Sequence, residues 1–226
     1  VARAIDTVMR EQSLPHVWLD ATRIGERFAH EFPMILAHCK AMGIDPTREP
    51  IPVMPAAHYL CGGIRTDAQG RTALDGLYAL GECASSGLHG ADRLASNSLL
   101  EALVIPRHAA AVVMIAEKPR SVPEDCELGC VVRTRAAAAI DAMLVTLRDV
   151  MTDHVGIVRH HIGLRKALRV LEHISAQVDR AWSEGERSFI FYELRDLVVV
   201  ARAICAQANA EPRNVGTHWN ADLTPQ

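Results

Sequence analysis

The sequence predicts a chain of the α+β class that ends in an antiparallel three-helix bundle. A glycine-rich run over residues 55–101 has the order strand, loop and helix that is typical of an α/β ligand-binding domain. Residues 119–130 then carry the proline, serine and acidic side chains of a linker. Beyond them, apolar residues recur at helical spacing in three long segments, at about 131–153, 157–182 and 189–209.

The first two of these C-terminal segments each have one apolar face. In the first segment the face consists of Ile140, Met143, Leu144, Leu147, Val150 and Met151, and in the second of Leu164, Leu168, Leu171, Ile174 and Val178. Stripes at this spacing are expected to form the seams of a helical core. Because such a core needs mainly local contacts, we expect this part of the chain to fold without other domains.

The first 50 residues predict a smaller region of helices and one strand. Apolar residues within 5–9 indicate a helix, and residues 16–20 have the composition of a strand. A single helix is expected over 23–42, and Gly43 and Pro46 should end it.

The glycine-rich run contains a short predicted strand that leads to a carboxylate. Residues 76–81 are apolar and bounded by glycines, which favours a buried strand, and a hairpin turn is expected before them at 67–70. Glu82 follows the predicted strand. Because ligands bind at the C-terminal ends of strands in open α/β sheets, this carboxylate could accept hydrogen bonds from sugar hydroxyls. The alternative is a solvated loop acid.

A helix is predicted to begin within residues 96–101. Ser98 and Glu101 have the spacing of a capping box, the helix should run to about Lys118, and Pro106 should kink or divide it. The first backbone N–H groups of a helix and its positive dipole end favour an anion or an electron-rich carbonyl.

Two cationic side chains lie near glycines in the same run. Arginine presents a planar fork that matches a carboxylate, and histidine can add a second donor. Taken singly, His58 and Arg93 could each be an ordinary polar residue. Together with Glu82 and the helix start they predict a cleft that holds an anion.

Composition and charge exclude several classes of function. The net charge of -3 gives no basic footprint for nucleic acid, and no apolar run approaches the length of a membrane span. The six cysteines lack paired spacing, so no metal site is expected. Free thiols in a cytoplasmic protein are the simpler interpretation, although a disulfide between Cys126 and Cys130 stays open. The pair His160–His161 is interpreted as surface histidines because neighbours on a helix face different directions.

The run from Ile51 to Val104 resembles the L-aspartate oxidases, a family within the succinate dehydrogenase and fumarate reductase flavoproteins. Three segments match in order and spacing: PAAHYLCGG, GLYALGE and GLHGADRLASNSLLE. The dehydrogenases usually carry a methionine and two glycines where this chain has Cys61 and Ala95–Ser96, which favours the oxidase branch. The resemblance continues in the C-terminal part, at residues 153–158 and 193–196.

The resemblance also implies a domain organisation. Residues 1–50 would be the end of a capping domain, residues 51–118 the returning part of an FAD-binding domain, and residues 131–226 a three-helix domain with a tail. The sequence contains no glycine-rich dinucleotide-binding fingerprint and does not begin with methionine. We therefore expect a C-terminal fragment that is inactive alone.

For the intact enzyme, the resemblance implies FAD-dependent oxidation of L-aspartate to iminoaspartate, with O2 or fumarate as the acceptor. This oxidation would be the first step of de novo NAD formation, and its product would feed quinolinate synthesis, with a functional link to quinolinate synthase. His58 and Arg93 would be the catalytic pair and hold the substrate carboxylates, and Ser96 would add a contact.

Three further residues are assigned to the cofactor by the same resemblance. Glu82 would hold ribityl or ribose hydroxyls of FAD, and the N–H groups of Ser98 and Leu99 would face the electron-rich edge of the flavin. Asp92 departs from the family, where Asn is common, and residues 211–218 keep a family motif only with insertions.

Two alternative functions stay open. The chain could belong to a fumarate reductase or succinate dehydrogenase-like flavoprotein subunit. It could also act without catalysis, with residues 119–226 as a helical module that contacts another protein.

Overall fold

The computed structural model describes residues 1–115 and 137–223. The chain divides into two compact units, Val1–His58 and Tyr59–Gln226. The predicted linker at 119–130 lies outside the described residues, as do both cysteines for which a disulfide was left open. The domain boundaries suggested by the resemblance stay predictions.

The first unit contains three helices and a pair of strands. These elements are α1 (Ala2–Glu11), β1 (Val17–Leu19), α2 (Arg27–Glu31), α3 (Pro33–Ala41) and β2 (Ile51–Val53). The predicted N-terminal helix and the strand after it are confirmed. β1 and β2 pair antiparallel, with Val17 opposite Val53.

The expectation of one helix over 23–42 is wrong, because the chain breaks at Phe32. Phe32 has φ −132° and ψ 54°, which is not helical, and Pro33 begins α3. Proline disfavours the helical conformation in the residue before it and lacks the N–H that would continue the ladder. The predicted end at Gly43 is confirmed: Gly43 has φ 81°, and the N–H of Ile44 donates to the carbonyl of Cys39 at 2.9 Å.

The second unit begins with the glycine-rich region. β3 (Ile64–Arg65) pairs in parallel with β4 (Ala84–Ser85), and a 3-10 helical turn, Gly81–Cys83, precedes β4. The turn at 67–70 forms, with the Gly70 N–H donating to the Asp67 carbonyl at 3.0 Å, but β3 does not pair with the segment that follows the turn.

The predicted strand at 76–81 is wrong. Its only bridge among the described residues joins Tyr78 to Arg71. A strand is stable only where neighbouring strands take up its backbone hydrogen bonds, and one bridge does not supply them. The apolar segment 76–81 still contributes to packing, since Ala79 is buried.

α4 (Asn97–Val113) follows, and it is one continuous helix that contains Pro106. Of the two effects expected of Pro106, division of the helix is therefore wrong, and a kink stays a prediction. The helix ends at Val113, and Lys118 lies outside the described residues.

Three long helices complete the chain: α5 (Ala137–Val155), α6 (His161–Ser183) and α7 (Phe189–Ala210). All three contribute to one apolar core, and every residue of the two predicted stripes lies in this core or packs against it. Leu164, Leu171 and Leu194 are fully buried within it. Most of the buried hydrophobic residues described in the second unit lie in this helical region.

Within 1–115 and 137–223, no helix combines the length and the apolar character that a bilayer span requires. The same residues contain no cluster of three or more side chains that could ligate a metal ion.

Candidate functional site

The candidate site is built around the arginine loop, residues 86–96, which connects β4 to α4. Short turns shape this loop: the Gly90 N–H donates to the Gly87 carbonyl at 3.2 Å, and the Asp92 N–H donates to the His89 carbonyl at 3.3 Å. The loop therefore folds back on itself before α4 begins.

A buried carboxylate ties the base of the arginine loop to α4. Glu101 is 3% exposed, and it accepts hydrogen bonds from the Ser86 hydroxyl and from His89 Nε2, the latter at 2.6 Å. A buried carboxylate is stable only when it is paired in this way. The predicted capping box between Ser98 and Glu101 is wrong, because both Glu101 oxygens face the loop and no side chain caps α4.

The start of α4 has an unusual backbone and open N–H groups. Ser96, the residue before the helix, has φ 68° and ψ −7°, a left-handed conformation that is costly for a residue other than glycine. The first N–H groups of any helix lack partners within the helix. Because no side-chain cap occupies them here, Ser98 and Leu99 can present N–H groups to an electron-rich ligand.

Arg93 lies next to this helix start, and one of its N–H donors, Nε, is not used by any described residue. Its Nη1 donates to the Ser98 hydroxyl at 3.4 Å, and its guanidinium carbon lies 4.4 Å from the centre of the Tyr59 ring. Its Nε is buried and has no hydrogen-bond partner in the described part of the chain. A buried N–H without a partner costs free energy, so this donor suits a ligand carboxylate.

Tyr59 was missed by the sequence analysis, and it lies between the charged groups of the site. Its ring meets the His89 ring edge-on at 5.3 Å, besides its contact with Arg93. Burial, followed by the negative charges of Glu101 and Glu82, raises the pKa of Tyr59. The aromatic residue directly after the predicted His58 was the only signal in the sequence that could have identified it.

Glu82 stays accessible at the 3-10 helical turn. Its Oε1 accepts a hydrogen bond from the Leu60 N–H at 3.2 Å, and the side chain is exposed. The carboxylate thus keeps acceptor capacity for hydroxyl groups of a ligand.

A small pocket borders the loop and the bare backbone of several glycines. It is lined by Gly62, Ala84, Ser85, Ser86, Gly87, His89 and Gly90. His89 Nδ1 is buried and has no partner among the residues that the structure describes. The site thus offers an uncapped helix start, an accessible carboxylate and buried nitrogens without partners in the described ranges. These groups fit ligands that carry hydroxyl, carbonyl and anionic groups, such as FAD and a dicarboxylate.

Five of the six predicted site residues belong to the second compact unit: Glu82, Arg93, Ser96, Ser98 and Leu99. Of these, Arg93 and Ser98 are in direct contact. His58 is exposed and belongs to the first unit, so its approach to Arg93 stays a prediction.

Comparison with known proteins defines the class. Residues 1–99 match the FAD binding domain family, and residues 145–225 match the family described as Fumarate reductase flavoprotein C-term. The structure of an E. coli quinol fumarate reductase is 30% identical with a TM-score of 0.75, and the similarity covers 100% of this chain and 43% of that one. The chain thus has the fold of a flavoprotein of the fumarate reductase and succinate dehydrogenase superfamily.

The particular family follows from two relatives. The L-aspartate oxidase of Rhodospirillum rubrum is 44% identical over 207 residues, which covers 91% of this chain and 70% of the relative. L-aspartate oxidase 1 of Ralstonia nicotianae is 41% identical over 98% of this chain, but the chain spans only 42% of that relative's length. The chain belongs to the L-aspartate oxidase family, and FAD is the cofactor that the family matches support.

Proposed function

We propose that this chain is part of an FAD-dependent L-aspartate oxidase, which converts L-aspartate to iminoaspartate with O2 or fumarate as the electron acceptor. The observation that carries the proposal is the juxtaposition of Arg93, with its unpaired buried Nε, and the uncapped start of α4. FAD, when bound, supplies the acceptor for the two electrons that leave the substrate.

Arg93 is proposed to bind a substrate carboxylate. The Tyr59 ring and the Ser98 hydroxyl hold its guanidinium from two directions, so that little side-chain freedom is lost on binding. His58 is proposed to contribute a second donor and Ser96 a further contact, so that the dicarboxylate is held at both ends.

The cofactor is proposed to lie against α4 and Glu82. The open N–H groups of Ser98 and Leu99 would stabilise negative charge on the carbonyl edge of the flavin, because the helix dipole adds to their hydrogen bonds. The carboxylate of Glu82 would accept hydrogen bonds from ribityl or ribose hydroxyls.

The wider assignments belong to the same proposal. They are a cytoplasmic enzyme whose product enters quinolinate synthesis and NAD formation, a functional link to quinolinate synthase, and an antiparallel three-helix domain formed by α5, α6 and α7. The pairwise packing of these helices around one core supports the last of these.

The direct test replaces Arg93 with Ala and with Lys in the full-length, FAD-loaded enzyme. Hydrogen bonds to charged groups contribute about 1.5–3 kcal/mol, so Arg93→Ala should raise the KM for L-aspartate about 10- to 150-fold. Arg93→Lys should recover part of the loss, because it restores the charge without the planar fork. Flavin content, measured by absorbance, should stay near that of the wild type in both variants.

Loss of the flavin in Arg93→Ala would instead assign Arg93 a structural role.

The wild-type enzyme should form peroxide with L-aspartate faster than it reduces a dye with succinate. The opposite preference would place the enzyme with the dehydrogenases and contradict the proposal.

A further inference from the structure

We propose that the C-terminal tail, residues 211–223, positions the arginine loop, with Gly216 and Thr217 as positioning residues that act on substrate binding through Ala91 and Arg93. The inference rests on the proposed role of Arg93 as the carboxylate-binding residue. It assigns the tail a part in specificity for dicarboxylates.

The tail contacts the arginine loop two residues before Arg93. The Thr217 N–H donates to the Ala91 carbonyl at 3.2 Å, and the Thr217 hydroxyl donates to the same oxygen at 3.4 Å. Gly216 has φ 55°, and a Cβ at this position would overlap the Ala91 carbonyl and its Cβ. Only glycine permits this approach, because any side chain would push the tail and the loop apart.

The tail itself is fixed to the helical region. The Arg159 N–H donates to the Trp219 carbonyl at 2.9 Å, and the Ala221 N–H donates to the Arg159 carbonyl at 2.8 Å. Asp222 accepts hydrogen bonds from His160 Nδ1 at 2.8 Å and from the His161 N–H at 2.7 Å. The tail is therefore attached to the turn between α5 and α6 and to the start of α6.

Two further contacts lock the tail next to Gly216. Arg159 Nη1 donates to His218 Nδ1 at 2.7 Å, which leaves the proton of the neutral imidazole on Nε2. Asn220 is fully buried, and its backbone N–H donates to Asn214 Oδ1 at 2.7 Å. The residues that touch Ala91 are thus held from both sides.

The arginine loop depends on the tail for its outer attachment. Glu101 holds the base of the loop, and the turns within the loop use its own backbone. In the described part of the chain, Thr217 supplies the only backbone hydrogen bond to residues 86–96 from outside the loop and its helix. Displacement of the tail would free Ala91 and, two residues on, the backbone of Arg93.

The test compares two glycine variants in the full-length, FAD-loaded enzyme. Gly216→Ala should weaken binding of succinate, a dicarboxylate probe, and raise the KM for L-aspartate by about 10- to 100-fold, since small misplacements of a binding group have effects of that order. Gly185→Ala is the matched control. Gly185 also has positive φ, at 90°, but a Cβ there meets nothing within 4 Å. Gly185→Ala should therefore leave succinate binding unchanged.

Two further measurements separate positioning from general damage. Hydrogen exchange of residues 88–96 should become faster in Gly216→Ala and not in Gly185→Ala, with kcat and flavin content near the wild-type values. Thr217→Val removes only the hydroxyl donor and should weaken succinate binding about 2- to 10-fold. Thr217→Val therefore tests the inference if Gly216→Ala does not fold.

Wild-type succinate affinity in Thr217→Val, or in a folded Gly216→Ala, would overturn the inference. Failure of the underlying proposal is distinguishable, because Arg93→Ala would then keep the wild-type KM for L-aspartate.

Discussion

His218 and Arg159 form a contact in which only one partner can carry a positive charge at low cost. Burial, followed by the charge of Arg159, lowers the pKa of His218, and the smaller effect of the Glu211 charge opposes this shift. Burial also lowers the pKa of Arg159. Because the folded state favours the neutral imidazole, the unfolded chain takes up the proton first as the pH falls.

The sign of the resulting pH dependence is fixed. The contribution of His218 to stability is fully present above its ordinary pKa of about 6.5 and is lost as the pH falls through the lower pKa of the folded state. Urea denaturation at about pH 7.5 and about pH 5.5 should show a larger loss of unfolding free energy in the wild type than in His218→Asn. Asn keeps an acceptor for Arg159 but does not titrate, so equal losses in both proteins would contradict the assignment.

At the scale of single residues, spacing along the sequence identified polar residues of the candidate site but not all of their hydrogen-bond partners. Ser98 and Glu101 have capping-box spacing, yet Glu101 pairs with Ser86 and His89 from the arginine loop. A sequence pattern within one helix cannot show that a loop 12 to 15 positions upstream returns to the same carboxylate. The role of Tyr59 was hidden for the same reason, since it depends on three-dimensional proximity to Arg93.

At the scale of elements, helical periodicity predicted the long C-terminal helices, whereas strand composition succeeded at 16–20 and failed at 76–81. The apolar stripes predicted the cores of α5 and α6 because a helix supplies its own hydrogen bonds. The segment 76–81 could not form a strand by composition alone, since strands need neighbours. The two prolines occupy different positions in their helices. Pro33 is the first residue of α3, where a backbone N–H would have no partner within the helix, whereas Pro106 lies inside α4.

The helical core offers a direct test at this scale. Leu171 of α6 is fully buried, so Leu171→Ala should lower the free energy of unfolding by about 2–5 kcal/mol through lost burial and a residual cavity. Val199→Ala on α7, where the side chain is 62% exposed, should change it by less than about 0.5 kcal/mol. Urea denaturation followed by circular dichroism measures both. Similar values for the two variants would mean that the helices do not share the core described above.

At the scale of the whole molecule, sequence resemblance gave the family, and local structure gave the site only in part. The predicted site residues of the second unit lie in one region because turns within the arginine loop and the Glu101 contacts hold this loop against α4. His58 is the exception, because it lies in the other unit and its partners depend on how domains meet in the enzyme. Composition and periodicity contain no information on such an arrangement.

The same reasoning predicts how these 226 residues behave by themselves. They span 42% of the length of the Ralstonia nicotianae relative and contain no glycine-rich phosphate-binding fingerprint, so the contacts proposed here cover only part of FAD. The α4 surface beside the site is open, with Leu99 71% and Leu103 72% exposed. Titration of this chain with FAD should therefore show weak binding or none, whereas the full-length enzyme should retain the flavin. Stoichiometric, tight binding by the 226-residue chain would show that the site around Arg93 and Glu82 suffices to hold the cofactor.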